Sequence, residues 1–283
     1  MLKLLDRDRL VFYDIEVFKY DALVVFKDFG GNTLKVFHNN FEGILDYVKD
    51  KTLVGFNCHH YDDFILTYMI EQKTVYHIKK RNDEIIGGKK FRGTDVNQFI
   101  TSLDCFQQID VSRPSLKKIE ANRGKNIYES EIDFTIDRKL TPEEIEETIS
   151  YCEYDVLETI EVFKLREESY FIPKLMLINM LPEYMQERAL RWNTTSISTS
   201  LLVNKPVQKW SDVRLGEYRK DGNYELFNLM DDELVRFWNN NEKGKRVVQE
   251  FGCDIEYGFG GLHYVNSDSQ MVFKDVKLLD VAL

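Results

Sequence analysis

Asp14 and Glu16 stand two residues apart inside an apolar run that is typical of a β-strand. Successive side chains of a strand point to opposite faces, so these two carboxylates leave the same face side by side. Their neighbours are apolar on both faces, which indicates a central strand covered on both sides. Because two adjacent buried carboxylates are costly without a cation between them, the pair predicts a site for a divalent metal ion with oxygen ligands.

The same pair has a simpler interpretation, as two surface acids at the end of a strand. Asp-X-Glu triplets are common at ordinary acid frequencies, and a second D-I-E stands at residues 254–256. The pair alone is therefore weak evidence, and further residues are needed before a chemistry can be assigned to it.

Two more groups of polar residues follow along the chain. Asn57 is followed, after three residues, by Tyr61 and Asp62 at the start of a predicted helix. Tyr151 and Asp155 stand four residues apart in a second predicted helix, so both side chains leave one helix face. Each group alone is a weak signal. Their order along the chain and the elements predicted to carry them are together strong evidence that they form one functional site.

The three patterns D-X-E, N-X3-Y-D and Y-X3-D resemble the exonuclease motifs of the proofreading 3′–5′ exonuclease superfamily. The resemblance is to the type with four carboxylates and a tyrosine that is found in replicative DNA polymerases, and it covers roughly residues 8–170. It implies a ribonuclease-H-like fold.

The resemblance also implies a role for each residue. Phosphodiester hydrolysis requires water delivered in line, and two metal ions about 4 Å apart, here Mg²⁺ or Mn²⁺, bind the attacking and the leaving oxygen. Tyr151 would position the attacking water, and Asn57 would help hold the 3′-terminal nucleotide with Tyr61 nearby. The implied metal ligands are Asp14, Glu16, Asp62 and Asp155.

Two adjacent histidines, His59 and His60, suggest zinc as an alternative metal. No third nitrogen or sulfur ligand stands at a suitable spacing, so the sequence disfavours zinc. The four cysteines, at positions 58, 105, 152 and 253, show no paired spacing. They are expected to be small core residues of a protein in a reducing cytoplasm.

The elements that would position these residues begin in an α/β order. A capping box is expected at the start of the helix that carries Tyr151, with Thr141 as N-cap, Pro142 at the first position and Glu144 closing the box. The predicted strands are 10–18, 21–28, 33–38 and 53–56, the predicted helices 41–51, 61–71 and 140–168, and residues 75–93 are predicted as a hairpin-like excursion.

The fold class expected from these elements is α/β: a ribonuclease-H-like mixed sheet flanked by helices, then a mainly helical segment at 179–250 and the beginning of a polymerase palm. Because the sequence pattern changes after about residue 178 from alternating strands and helices to a mainly helical and polar one, two domains are predicted, 1–178 and 179–283. At 283 residues and 43% hydrophobic composition, the chain can bury two moderate cores.

Segments 256–268 and 273–283 resemble phage-type family B DNA polymerases. In that family a Gly-Gly turn separates the exonuclease and polymerase regions, and a strand then delivers the first palm aspartate, which here would be Asp280. Without the resemblance, the glycines indicate only a tight turn. Because the family's later palm motifs do not occur in the sequence, we expect no nucleotide incorporation by this chain alone, and a complementary polymerase fragment is a candidate partner.

Charge and hydropathy limit the expected partners. The net charge of −10 argues against general affinity for nucleic acid. Two segments reverse that balance locally, 76–93 with six basic residues against two acids and 112–125 with five against one. Such segments are either solvated surface or surfaces that face a polyanion. The partners implied by the resemblance are a single-stranded DNA 3′ end and primer-template DNA. No apolar run approaches the ~18–20 residues of a membrane span and no secretory signal is present, so the expected location is cytoplasmic, in the host cell if the protein is viral.

Two other functions remain open at this stage. The chain could be a free-standing exonuclease of the same type that acts on RNA or short oligonucleotides, with 179–283 as an accessory domain. It could also be an interaction domain that kept the fold without catalysis. The presence of all five catalytic-type residues weighs against the second alternative, and the resemblance of the C-terminal segment weighs against the first.

Overall fold

The computed structural model describes residues 1–109, 112–203, 246–250, 253–258 and 261–264. The chain divides into two compact units, Met1–Lys205 and Pro206–Leu283. No helix in the described ranges is both long enough and apolar enough to cross a membrane.

A five-stranded mixed sheet forms the centre of the first unit. Its strand order is β3-β2-β1-β4-β5. The pairs β1–β2 and β2–β3 are antiparallel, whereas β1–β4 and β4–β5 are parallel. The strands are β1 Leu10–Val17, β2 Ala22–Lys27, β3 Thr33–His38, β4 Thr52–Gly55 and β5 Ser102–Asp104. The predicted α/β class with a mixed sheet is confirmed.

Eight α-helices accompany this sheet in the part of the first unit that the structure describes. Short 3-10 helices stand at Leu2–Leu5 and Gly93–Asp95, and a π-helical turn stands at Glu167–Phe171. The α-helices are α1 Ile44–Val48, α2 Asp62–Ile70, α3 Val75–Ile86, α4 Leu116–Asn122, α5 Pro142–Arg166, α6 Ile172–Asn179, α7 Glu183–Ala189 and α8 Thr194–Val203.

The central strand β1 is buried on both faces, as its sequence predicted. Its odd-numbered residues pack into the core cluster that includes residues of α1, α2 and α3. Leu10 and Phe12 instead join the cluster that contains Val156 and Phe163 of α5. Because the side chains alternate, Asp14 and Glu16 belong to the face that α5 covers.

Helix α5 begins as predicted. The Thr141 hydroxyl accepts a hydrogen bond from the backbone N–H of Glu144, and the Glu144 carboxylate accepts one from the N–H of Thr141, with Pro142 at the first helical position. One face of α5 is buried, and it includes Cys152, Val156, Ile160 and Phe163. Cys58 and Cys105 are also buried, and none of these cysteines forms a disulfide.

The predicted hairpin-like excursion at 75–93 is wrong, because residues 75–86 form helix α3. Asn82 suggested a turn, but it lies buried one helical turn after buried Ile78. Its side-chain oxygen accepts a hydrogen bond from the Tyr61 hydroxyl at 2.5 Å, so its burial in the helix leaves that oxygen satisfied. Gly88, with a φ of 87°, follows the helix end.

Helices α6, α7 and α8 pack on the sheet rather than beginning a separate unit. Leu175, Ile178 and Ile197 share a buried cluster with Phe12 and Val54. The first compact unit therefore extends to residue 205, beyond the boundary expected near 178.

In the second unit, the structure describes three antiparallel strands in the order β6-β7-β8, which are β6 Arg246–Glu250, β7 Cys253–Gly258 and β8 Gly261–Tyr264. The expected helical segment is thus wrong at residues 246–250. Gly258 pairs with Gly261 across the predicted turn. Asp280 and the strand expected at 273–283 lie outside the described residues.

Candidate active site

Asp14 and Glu16 face helix α5 from the centre of the sheet. The thiol of Cys152 donates a hydrogen bond to Oδ2 of Asp14 at 3.5 Å. Ligand atoms of Asp14, Glu16 and Cys152 all lie within 4.8 Å of one another. The first and third sequence patterns therefore meet at one place, where β1 crosses under α5.

Asp62 enters the same site from the turn between β4 and α2. It is the first residue of α2 and only 3% exposed. A Cβ on Gly55, which ends β4, would lie 2.7 Å from the Cβ of Cys58, so the close approach of the turn to the strand requires glycine. Asn57 has a φ of 63°, in the left-handed region that asparagine tolerates.

Asp104 organises this turn, a role that the sequence analysis missed. It ends β5 and pairs with Gly55 of β4. Its carboxylate accepts hydrogen bonds from the backbone N–H groups of Asn57 at 2.8 Å, of His59 at 3.2 Å and of Phe106 at 2.8 Å. The available signal was weak: an acid directly after the short segment I-T-S-L, which begins with two β-branched residues. Asp104 therefore helps to fix the turn that leads to Asp62.

Tyr61 and Asn57, the expected nucleotide-binding residues, lie on the turn that leads into α2. The Tyr61 hydroxyl donates to Oδ1 of Asn82, which ties the ring to α3. Burial, and next the charge of Asp62, raises the pKa of Tyr61. The Tyr61 ring also packs against the core cluster next to α2 and is partly buried.

Tyr151 and Asp155 occupy one face of α5, as their spacing predicted. Asp155 forms an ion pair with Lys117 of α4, and the Lys117 Nζ also lies 4.8 Å from the centroid of the Tyr151 ring. Burial, and next the charge of Asp155, raises the pKa of Tyr151. Its hydroxyl therefore stays protonated at neutral pH and can donate a hydrogen bond.

The carboxylates are largely buried, and the repulsion between their charges is therefore strong. Burial, and next the charge of Asp155, raises the pKa of Asp14 from 3.8 to about 7. Burial and the charge of Asp14 also raise the pKa of both Glu16 and Asp62. The pKa of Asp155 is raised by burial, although its hydrogen bond with Lys117 acts in the opposite direction. These effects connect Asp14 with each of the other three carboxylates, and a cation would relieve them.

The donor set fits Mg²⁺ or Mn²⁺. Hard divalent ions prefer carboxylate oxygens, and Asp14 and Glu16 offer such oxygens within 4.8 Å of one another. The Cys152 thiol is a poor competitor as a ligand, because burial raises its pKa well above the ordinary value.

A second cluster, Cys58, His59 and Asp63, also brings its ligand atoms within 4.8 Å of one another. The sulfur ligand that the sequence analysis found missing is thus present in space. Burial nevertheless raises the pKa of the Cys58 thiol and lowers that of His59 to about 3. The Asp63 carboxylate is also occupied by Arg191, Tyr13 and Ser102. We interpret the cluster as a buried hydrogen-bond network that stabilises the fold next to the site.

The basic segment 112–125 directs much of its charge inward. Lys117 pairs with Asp155, while Arg123 and Lys125 both pair with Glu158 of α5. The segment therefore serves partly as an internal counter-charge to α5, which the sequence alone did not indicate.

No protein-family model matches the chain, and a search of curated proteins returns no match. The function is therefore inferred from the chemistry of these residues.

Proposed function

We propose that this chain is a metal-dependent 3′–5′ exonuclease that releases nucleoside monophosphates from single-stranded DNA 3′ ends. In this proposal it is the proofreading part of a viral replicative DNA polymerase, and Asp280 would be the first aspartate of the palm. The observation that carries the proposal is that Asp14 lies beside Glu16 and interacts electrostatically with Asp62 and with Asp155, the partner of the Tyr151 hydroxyl, so that three separate segments contribute acids to one site.

The sheet supports a ribonuclease-H-like fold for this unit. Three antiparallel strands, β3, β2 and β1, are followed by the parallel strands β4 and β5. Helix α5 packs on the face that carries the acidic pair. Such a sheet supports the site because the acids stand on a rigid central strand.

The four carboxylates would hold the metal ions, and their raised pKa values and mutual repulsion favour cation binding. Bound divalent ions supply a nucleophilic water and stabilise the leaving oxygen of the scissile phosphate. The protonated Tyr151 hydroxyl would orient the attacking water, while β1 and α5 hold the carboxylates and the tyrosine in fixed relation.

The surface beside Tyr151 supports a nucleic-acid substrate. A cavity of about 570 Å³ lies there, lined by Tyr128, Ser150 and Tyr154 among others. The Tyr128 ring centroid lies 6.0 Å from that of Tyr151 and 5.5 Å from that of Tyr154. Aromatic rings of this kind stack unpaired bases with little sequence preference.

The test is digestion of a 3′-labelled single-stranded DNA oligonucleotide by the full chain. We expect mononucleotide release with Mg²⁺ or Mn²⁺ and none with EDTA. Asp14→Ala combined with Glu16→Ala removes two ligands and should abolish most of the rate. The control is Glu42→Ala with Asp46→Ala, two exposed acids away from the site.

Equal digestion by the Asp14/Glu16 double variant and the wild type would overturn the site assignment. A matched RNA oligonucleotide separates the two nuclease alternatives. Preference for RNA would favour a free-standing exonuclease over a proofreading one.

A further inference from the structure

Lys117 occupies the centre of the carboxylate site although no sequence pattern assigned it a role. Its ammonium pairs with Oδ1 of Asp155 and lies over the Tyr151 ring. The same Nζ lies 3.6 Å from Oε1 of Glu120, one turn later on α4. One lysine therefore stands between an expected metal ligand and a second acid.

Glu120 is an unusual partner for it. Its side chain is only 1% exposed, and neither of its carboxylate oxygens has a hydrogen-bond partner among the described residues. A buried acid without hydrogen bonds is costly to keep. The 3.6 Å ion pair with Lys117 partly offsets that cost, and both oxygens remain able to accept hydrogen bonds.

A divalent ion and the Lys117 ammonium compete for the same carboxylate. Two cations at one oxygen repel each other, so an ion that binds Oδ1 of Asp155 displaces the ammonium from that atom, and one that binds Oδ2 weakens its hold. Lysine carries a compact charge on a flexible stem and can move between neighbouring acceptors. Glu120 is the acceptor within reach, three residues further on the same helix.

We propose that Lys117 is an internal counter-ion of the site, which pairs with Asp155 in the metal-free protein and shifts to Glu120 when a divalent ion binds. This inference rests on the proposed function, because it takes Asp155 to be a metal ligand. Lys117 thereby reduces the repulsion among the carboxylates in the metal-free protein. After a divalent ion binds, Glu120 accepts the displaced ammonium group.

The proposal predicts a particular coupling between the two residues. Lys117→Met removes the competitor and should tighten Mn²⁺ binding about tenfold, within the range of couplings between contacting charged groups. Glu120→Gln removes the acceptor and should weaken Mn²⁺ binding by a similar factor. In the Lys117→Met background, Glu120→Gln should have little effect, because no ammonium remains to be relocated.

The experiment is a calorimetric titration of the full chain with Mn²⁺ for the wild type, the two single variants and the double variant. Lys118→Met is the matched control, since Lys118 is an exposed neighbour on α4 with no ion pair in the described part of the chain. Its Kd should equal that of the wild type. Circular dichroism in EDTA checks that each variant folds, and Lys117→Gln substitutes for Lys117→Met if the latter does not.

The double variant distinguishes movement of the Lys117 ammonium from a general effect of the Glu120 charge on Mn²⁺ binding. If Glu120→Gln weakens Mn²⁺ binding equally with and without Lys117, the proposal is wrong. An unchanged Kd in the folded Lys117 variant would also overturn it, while measurable Mn²⁺ binding by the wild type would leave the proposed metal site standing. Absence of Mn²⁺ binding in every variant and in the wild type would overturn both.

Discussion

The thiol of Cys152 donates a hydrogen bond to Oδ2 of Asp14 and so joins the middle of α5 to the centre of β1. Cys152→Ala deletes this buried donor, and we expect a loss of about 1–3 kcal/mol in the free energy of unfolding. Cys152→Ser keeps a donor and should lose less. Urea unfolding in EDTA measures the difference, and equal stability of the alanine and serine variants would show that the hydrogen bond contributes nothing.

Tyr151→Phe tests the role of the hydroxyl without disturbing the ring contacts. The ring packs against Tyr128 and Lys117 and should stay in place. We expect a fall in kcat of about 10²-fold or less with nearly unchanged KM, because in the proposed mechanism the hydroxyl orients the water rather than binding the substrate. A large rise in KM at unchanged kcat would instead make Tyr151 a substrate-binding residue.

The ion pair between Arg191 and Asp63 stabilises the start of α2, next to Asp62. Asp63 has a fully buried side chain, and it also accepts hydrogen bonds from Tyr13 at 2.5 Å and Ser102 at 2.7 Å. Arg191→Met leaves a buried carboxylate without its cation and should cost about 3–5 kcal/mol of unfolding free energy.

The charge of Asp63 provides the check on this prediction. Adding Asp63→Asn to Arg191→Met removes the unpaired charge and should recover part of the loss. Arg188→Met, at an exposed position of α7, serves as the control. An Arg191→Met variant as stable as the control would contradict the importance of the pair.

The raised pKa of Asp14 predicts that the metal-free protein loses stability as the pH rises, which is opposite to the usual effect of a carboxylate. Burial, with the charge of Asp155 next, raises its pKa from 3.8 to about 7. The folded state thus holds the proton more tightly than the unfolded state. The contribution to stability is fully present below about pH 4 and is lost as the pH rises through about 7.

The measurement compares unfolding free energies of the wild type and Asp14→Asn in EDTA, from about pH 5 to about pH 8. The wild type should lose stability relative to the variant over this range, and Mg²⁺ should restore it at the upper end. A constant difference across the range would mean that Asp14 titrates normally in the folded protein.

Several features of the site followed from the sequence because short-range rules govern them. The two-residue period of a strand placed Asp14 and Glu16 on one face, and the four-residue spacing placed Tyr151 and Asp155 on one helix face. The capping box at Thr141 is equally local, since its hydrogen bonds span three residues.

Other features depended on contacts between distant segments. Asn82 is buried in a helix where the Tyr61 hydroxyl satisfies its side-chain oxygen, a contact between distant segments that the local pattern does not record. Likewise, α6, α7 and α8 belong to the first unit because they bury apolar side chains against the sheet, which no local composition records.

The sequence by itself thus determined which residues could bind a metal and which faces of β1 and α5 they occupy. Only the tertiary structure decided what compensates their charge. Lys117 reaches Asp155 across 38 positions and Arg191 reaches Asp63 across 128. The physical reason is that a buried carboxylate needs a partner in space, and the packing of helices on the sheet, rather than spacing along the chain, brings that partner within reach.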